Sequence, residues 1–171
     1  TPVRDRVLAA MLPYFSEIYG NPSSFHSSGK RAKDAVEESR EKVAKIFGSK
    51  IDEIIFTAGG TESNNMAILG LARANKEKGN HIITQKTEHH SVLETVEHLE
   101  KKEGFKATYL GVDEYGMVDP NMVAEAITPE TILVSIMYAN NEIGTIQPVS
   151  EIGKIVEAKR KEFGGNFPRF H

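Results

Sequence analysis

Apolar residues recur along this chain at two spacings, and the alternation between them divides it into helices and strands. Over 29–48, "GKRAKDAVEESREKVAKIFG", Ala32, Val36, Val43, Ile46 and Phe47 share one helical face, and Gly48 is a natural stop. The next run, "IDEIIFTA" (51–58), is short, β-branched and aromatic, and predicts a strand that breaks at Gly59 and Gly60. Helical spacing returns over 62–79, closed by Lys78 and Gly79, and then "HIITQ" (81–85) reads as a strand. A helix over 91–104 and a strand over 106–112 follow. Asp119 as N-cap and Pro120 at the first position predict a short helix over 119–127. "TILVSIMYA" (131–139) is the most deeply apolar strand, 149–165 is the last helix, and "GGNFPRFH" has the look of an approach to another strand.

Strands alternating with helices predict an α/β fold with a mostly parallel, covered sheet. In open sheets of this kind ligands sit on the loops that leave the carboxyl ends of the strands. Those loops are "GGTESNN", "KTEHHS", "VDEYGMVD" and "NNEIGTIQP", and the first, second and fourth hold the chain's least ordinary polar clusters.

Composition narrows the function classes. With 24 acidic and 21 basic side chains the formal charge is -3, which excludes a strongly basic nucleic-acid footprint. No apolar run approaches the ~18 residues of a membrane span. The first residues, "TPVRDRVLAAMLPYF", carry charge where a signal peptide would be apolar. Cys 0 removes any disulfide framework or thiolate metal site, so the expectation is a cytoplasmic protein. The chain opens on Thr1 and stops at His171, short of a strand it is approaching, and is therefore expected to be part of a larger domain.

Each loop has a plain reading beside a chemical one. In "AGGTESNN" the glycines allow close backbone approach and Thr61 can cap the helix. Free N–H groups and the helix dipole at such a start favour an anion such as phosphate. The endings of a nucleoside-triphosphate loop and of a dinucleotide fingerprint are both missing. Glu62 would repel a phosphate unless it turns away, and local physics alone favours a glycine turn with a threonine cap. In "KTEHHSVLE" one imidazole of an adjacent pair could lie over a ligand ring and move protons. His90, Glu94 and His98 share a helix face at metal-like spacing, but no zinc-protease pattern accompanies them, and no metal is expected. "YANNEIGTIQP" offers amides at the sheet edge, or simply a turn, and "YGNPSSFHSSG" reads as a linker and helix cap. Together the loops suit a phosphorylated, ring-bearing cofactor.

"GNPSSFH", "FTAGGTESNN", "TEHHSVLET" and "ILVSIMYANNEIGTIQP", in this order, resemble the cysteine desulfurases of the NifS/IscS branch, within the class V aminotransferases of fold type I. The resemblance runs over essentially the whole chain. It implies the large, three-layer domain of a pyridoxal 5'-phosphate enzyme, with residues 1–171 forming part of that domain. Gly60 and Thr61 match the cofactor-phosphate residues, His89 the histidine that stacks on the pyridine ring and assists proton transfer, and Asn141 the amide near the cofactor's phenolic oxygen and the substrate. His90 matches no fixed position. The implied reaction takes sulfur from L-cysteine, releases L-alanine, and leaves a persulfide on a catalytic cysteine for an iron–sulfur scaffold or other acceptor. The implied assembly is a homodimer.

The Schiff-base lysine with its Ser-x-His context and the catalytic cysteine are not among these residues, so the chain alone is expected to be inactive. Rivals are a selenocysteine lyase or other class V lyase, which would share these loops, and a non-catalytic binding module.

Overall fold

The computed structural model describes residues 2–171 and divides between Phe56 and Thr57 into two compact units. The first holds helices α1 (Asp5–Met11), α2 (Pro13–Ser16) and α3 (Ser27–Phe47), then a 3-10 turn at Ile51–Glu53. Helix α3 starts where His26 Nδ1 accepts the Gly29 N–H at 3.2 Å and stops at Gly48, whose left-handed φ of 63° suits a residue without Cβ. Of its predicted stripe, Ala32, Val36 and Val43 are half-buried. Ile46 and Phe47, however, are 78% and 75% exposed. Helical spacing says which face is apolar; it does not supply a partner to cover that face.

The run 51–58 is not a strand. Glu53 Oε2 accepts the Lys50 N–H at 2.8 Å and closes the 3-10 turn. The chain then extends, with Ile54 at φ -95° and ψ 122°, but its carbonyl accepts from the Arg40 guanidinium instead of joining a ladder. Branched and aromatic residues favour a pleated surface only where a neighbouring strand exists to pair with them.

The second unit carries α4 (Gly60–Ala74), β1 (His81–Gln85), α5 (His90–Glu103), β2 (Lys106–Leu110), α6 (Pro120–Ala126), β3 (Thr131–Val134), α7 (Val149–Glu162) and β4 (Arg169–Phe170). The four strands are parallel in the order β2-β1-β3-β4, with His81 opposite Lys106 and Val134 opposite Phe170. The pleat sends adjacent Ile82 and Ile83 to opposite faces. Ile82 joins Ile68 and Ala72 of α4 and Val92, Val96 and Leu99 of α5; Ile83 joins Val123 of α6 and Ile152 and Val156 of α7. Each of these isoleucine, valine and leucine side chains, fully buried, contributes about 1.5–3 kcal/mol. The result is the α/β layering expected from the sequence. Among the described residues no helix is long and apolar enough to cross a membrane.

Strand order decides where a site can form. From β1 the chain crosses to β2 on one side, and β3 then lies on the other side of β1. The loops leaving β1 and β3 therefore diverge and open a crevice at the carboxyl edge, the usual ligand position in such sheets.

Helix α4 ends five residues before the predicted 79, and Gly79 has another task. A Cβ there would lie 2.3 Å from the Glu130 carbonyl oxygen. Replacing Gly79 with alanine should therefore cost about 1–3 kcal/mol by overpacking. Gly70→Ala, in mid-helix with open space around it, should cost nothing and gain up to about 1 kcal/mol. Urea denaturation of the full-length protein measures both.

Candidate active site

Helix α4 begins directly out of the Gly59-Gly60 turn. Gly59 is extended (φ 168°), and a Cβ on either glycine would meet nothing within 4 Å, so the approach to the helix start is open. The first helical N–H groups, of Gly60, Thr61 and Glu62, have no intrahelical acceptor and point toward that opening. Glu62 does not obstruct it: its Oε2 turns back to accept the Ala58 N–H at 2.6 Å. Ser63 is held by Thr57, hydroxyl to hydroxyl, at 2.6 Å. What remains at the start of α4 is a set of free donors on an exposed turn, the chemistry a phosphate requires.

His89 stands at the end of the loop leaving β1, where its ring caps α5. Nδ1 accepts the Ser91 backbone N–H at 3.0 Å and lies 2.8 Å from the Ser91 hydroxyl. Because a backbone N–H can only donate, Nδ1 is the acceptor, and the neutral ring carries its proton on Nε2. His89 is exposed and lines three adjoining concavities. One, of about 480 Å³, it shares with Thr61; another, of about 290 Å³, with Glu88, Ser135 and His171. The third, of about 330 Å³, it shares with Asn140 and Asn141. Of the four residues singled out in the sequence, Thr61 and Asn141 each meet His89 along a shared wall, and Gly60 adjoins Thr61 at the first position of α4.

The Asn-Asn pair divides its work. Asn140 builds the loop: its Nδ2 donates to the Thr87 carbonyl at 2.9 Å, and its Oδ1 accepts the N–H groups of Glu142 and Ile143 at 2.8 and 3.0 Å. Asn141 is exposed on the crevice side beside His89. Gln147 anchors the far end of the same loop, accepting the Val118 N–H at 2.9 Å and donating to the Gly116 carbonyl at 2.7 Å.

Sequence reading passed over Glu88, which ties the two diverging loops together. This 8% exposed carboxylate accepts the Met137 N–H at 2.5 Å, joining the loop after β1 to the loop after β3. Burial lifts its pKa above the ordinary carboxylate value, against the opposing pull of Met137 and the adjacent Gln85. His171 contacts the Ser135 hydroxyl through Nδ1 at 2.9 Å, and burial pushes its pKa down. The only signal for Glu88 in the sequence is its position next to His89.

His90 and His98 go elsewhere. His90 Nδ1 lies 3.7 Å from Glu94, while His98 Nε2 turns to Glu103 at 3.2 Å. Among the described residues no three metal-ligating side chains converge.

Fold and site define an α/β protein whose strand-end loops join a phosphate-ready helix start to a capping histidine and an amide. The aminotransferase class-V family model matches residues 1–162, and the chain belongs to that family. Membership implies a pyridoxal-phosphate-dependent enzyme. The chain is 57% identical over 157 residues to the cysteine desulfurase IscS of Dictyoglomus turgidum, covering 92% of this chain and 40% of that protein. It is 55% identical over 163 residues to the IscS of Methanosarcina thermophila, covering 95% and 40%. Among solved structures it is similar to a NifS-like protein, with TM-score 0.87 and 44% identity over 95% of this chain and 44% of that one. It is also similar to SspA in complex with cysteine, with TM-score 0.85 and 40% identity over 100% and 47%. The chain thus spans about 40% of the length of the curated relatives it matches.

Glu88 makes a pH prediction. Its folded-state pKa is raised, so the folded protein holds this proton more tightly than the unfolded chain does. The associated stability is complete below the ordinary value of 4.5 and is lost as pH rises through the folded-state pKa. Glu88→Gln, always neutral and still able to accept from Met137, should melt a few degrees higher than wild type at neutral pH. The difference should vanish toward pH 4.5, as followed by thermal melts across that range.

Proposed function

We propose that the protein carrying this chain is a cysteine desulfurase that uses pyridoxal 5'-phosphate to take sulfur from L-cysteine, releasing L-alanine. The observation that carries this reading is the position of His89, its Nδ1 engaged and its Nε2 free, between the concavity lined by Thr61 and the one lined by Asn141. In it Gly60 and Thr61 would hold the cofactor phosphate through N–H groups and the Thr61 hydroxyl. The His89 ring would face the cofactor ring and would hold or move a proton at Nε2. Asn141 would offer its amide to the cofactor's phenolic oxygen and the substrate. When bound, pyridoxal phosphate supplies the electron sink that makes bonds at the amino acid's carbons labile.

These residues form part of the large cofactor domain. With Cys 0 the chain provides no thiolate to receive the sulfur, so these 171 residues alone do not turn over cysteine. The persulfide acceptor is an iron–sulfur scaffold or comparable sulfur carrier, the whole protein is a homodimer, and its compartment is the cytoplasm.

The test is to load the full-length protein with pyridoxal phosphate and assay alanine and sulfide from L-cysteine, with L-selenocysteine in parallel. The expected result is a cofactor absorbance band and turnover of cysteine. Turnover of selenocysteine alone would make the protein a selenocysteine lyase, and failure to bind the cofactor would remove the reading altogether. His89→Gln should lower turnover by about 10²–10⁴-fold with the cofactor still bound. Thr61→Ala should weaken cofactor affinity by about 10–150-fold, as one hydrogen bond to a charged group is worth.

A further inference from the structure

The asparagine pair in "GGTESNN" has no role in the reading above, yet both side chains are engaged across the α4–α5 interface. Asn64 Nδ2 donates to the Ser91 hydroxyl at 2.8 Å. That hydroxyl lies 2.8 Å from His89 Nδ1, and since Nδ1 is the acceptor the hydroxyl donates to it. A directed chain therefore runs from Asn64 through Ser91 to the His89 ring. The next residue of α4, Asn65, makes a second connection, one turn further along α5. Its Nδ2 donates to the Thr61 carbonyl at 2.9 Å, and its Oδ1 accepts from the Thr95 hydroxyl at 3.0 Å. Thr95 in turn lies 2.8 Å from the Ser91 carbonyl. Ser91 and Thr95 are buried, and Asn64 and Asn65 are half-buried.

These bonds do what the apolar contacts between the helices do not. Ile68 and Ala72 pack on Val92, Val96 and Leu99, but such contacts are non-directional and tolerate small sliding and rotation. Hydrogen bonds weaken steeply with angle and so set register. Both bonds lie at the end of the interface nearest the strand-end loops, where Thr61 and His89 emerge.

We propose that Asn64 and Asn65 of α4, with Ser91 and Thr95 of α5, form a polar clamp that sets the spacing between the phosphate cradle and His89. Asn64 and the Ser91 hydroxyl are then positioning residues: the Ser91 backbone N–H sets the Nε2–H tautomer, and their chain of bonds holds the ring's orientation with that nitrogen facing the crevice. The clamp is a property of this chain; what the oriented imidazole does with a cofactor rests on the function proposed above.

Two measurements on the full-length protein test it. Long-range ¹H–¹⁵N spectra of histidine-labelled protein report the tautomer, with the His89 signals identified by their loss in His89→Gln. The wild type should show His89 as Nε2–H alone. Ser91→Ala and Asn64→Ala, checked for folding by circular dichroism, should keep that tautomer, which the Ser91 backbone N–H fixes, but shift and broaden the His89 ring signals as the ring loses its oriented hydroxyl partner, and Ser91→Thr should restore the wild-type signals. A wild type with Nδ1 protonated or averaged overturns the assignment without any variant, and so does a Ser91→Ala spectrum identical to wild type. Titration with pyridoxal phosphate reads the spacing: Asn65→Ala should weaken binding about tenfold, and unchanged affinity removes that part of the proposal. If the wild type binds no pyridoxal phosphate, the proposed function fails, and the spectra alone decide the clamp.

Discussion

Strand β1 is paired on both edges, with β2 on one side and β3 on the other, and the site depends on that double pairing. All five of its residues are buried, so each backbone donor and acceptor must find a partner in the sheet. Parallel neighbours satisfy this only if the chain returns each time across a face, which places α4 and α5 on one side and α6 and α7 on the other. With β1 enclosed, its outgoing loop cannot follow the one from β3. The two separate, and Glu88 bridges them to Met137. The same constraint that fills the core thus creates the crevice.

Three histidines show how placement turns one side chain to different ends. His81, at the start of β1, is buried with both ring nitrogens on threonine hydroxyls, Thr131 at 2.8 Å and Thr108 at 2.9 Å. Burial, and then the charge of Lys106, push its pKa down, and it serves as a satisfied polar residue of the core. His171 is held by Ser135 on the wall of a concavity. His89 spends one nitrogen on the α5 cap and keeps the other for the crevice. Of these three, His89 is the one whose fixed ring also lines the concavities of Thr61 and Asn141.

Much of the secondary structure was legible because its signals are local. Gly48 and Gly104 end helices at left-handed φ of 63° and 77°, Asp119 caps α6 through the Asn121 N–H, and β1 has the bounds its branched run predicts. Where a reading failed, the deciding contact lay far away in sequence. Residues 51–58 have strand composition without a pairing strand, and Gly79 serves a close approach to Glu130 rather than a helix end. Likewise Asn140 and Asn141 are alike in sequence, and their separate roles depend on Thr87, 53 positions from Asn140.

By itself, then, the sequence determined the alternation of helices and strands, the caps, the α/β class and, through its motifs, the family. Short-range physics suffices for these, because a cap or a period acts over a few residues. Tertiary structure alone decided that β1 lies between β2 and β3 and that Glu62 turns away from the helix start. It also decided that Ser91 and Asn64 orient His89. Each of these rests on a hydrogen bond or pairing whose direction exists only once the backbone is folded, and no spacing in the chain encodes a direction in space.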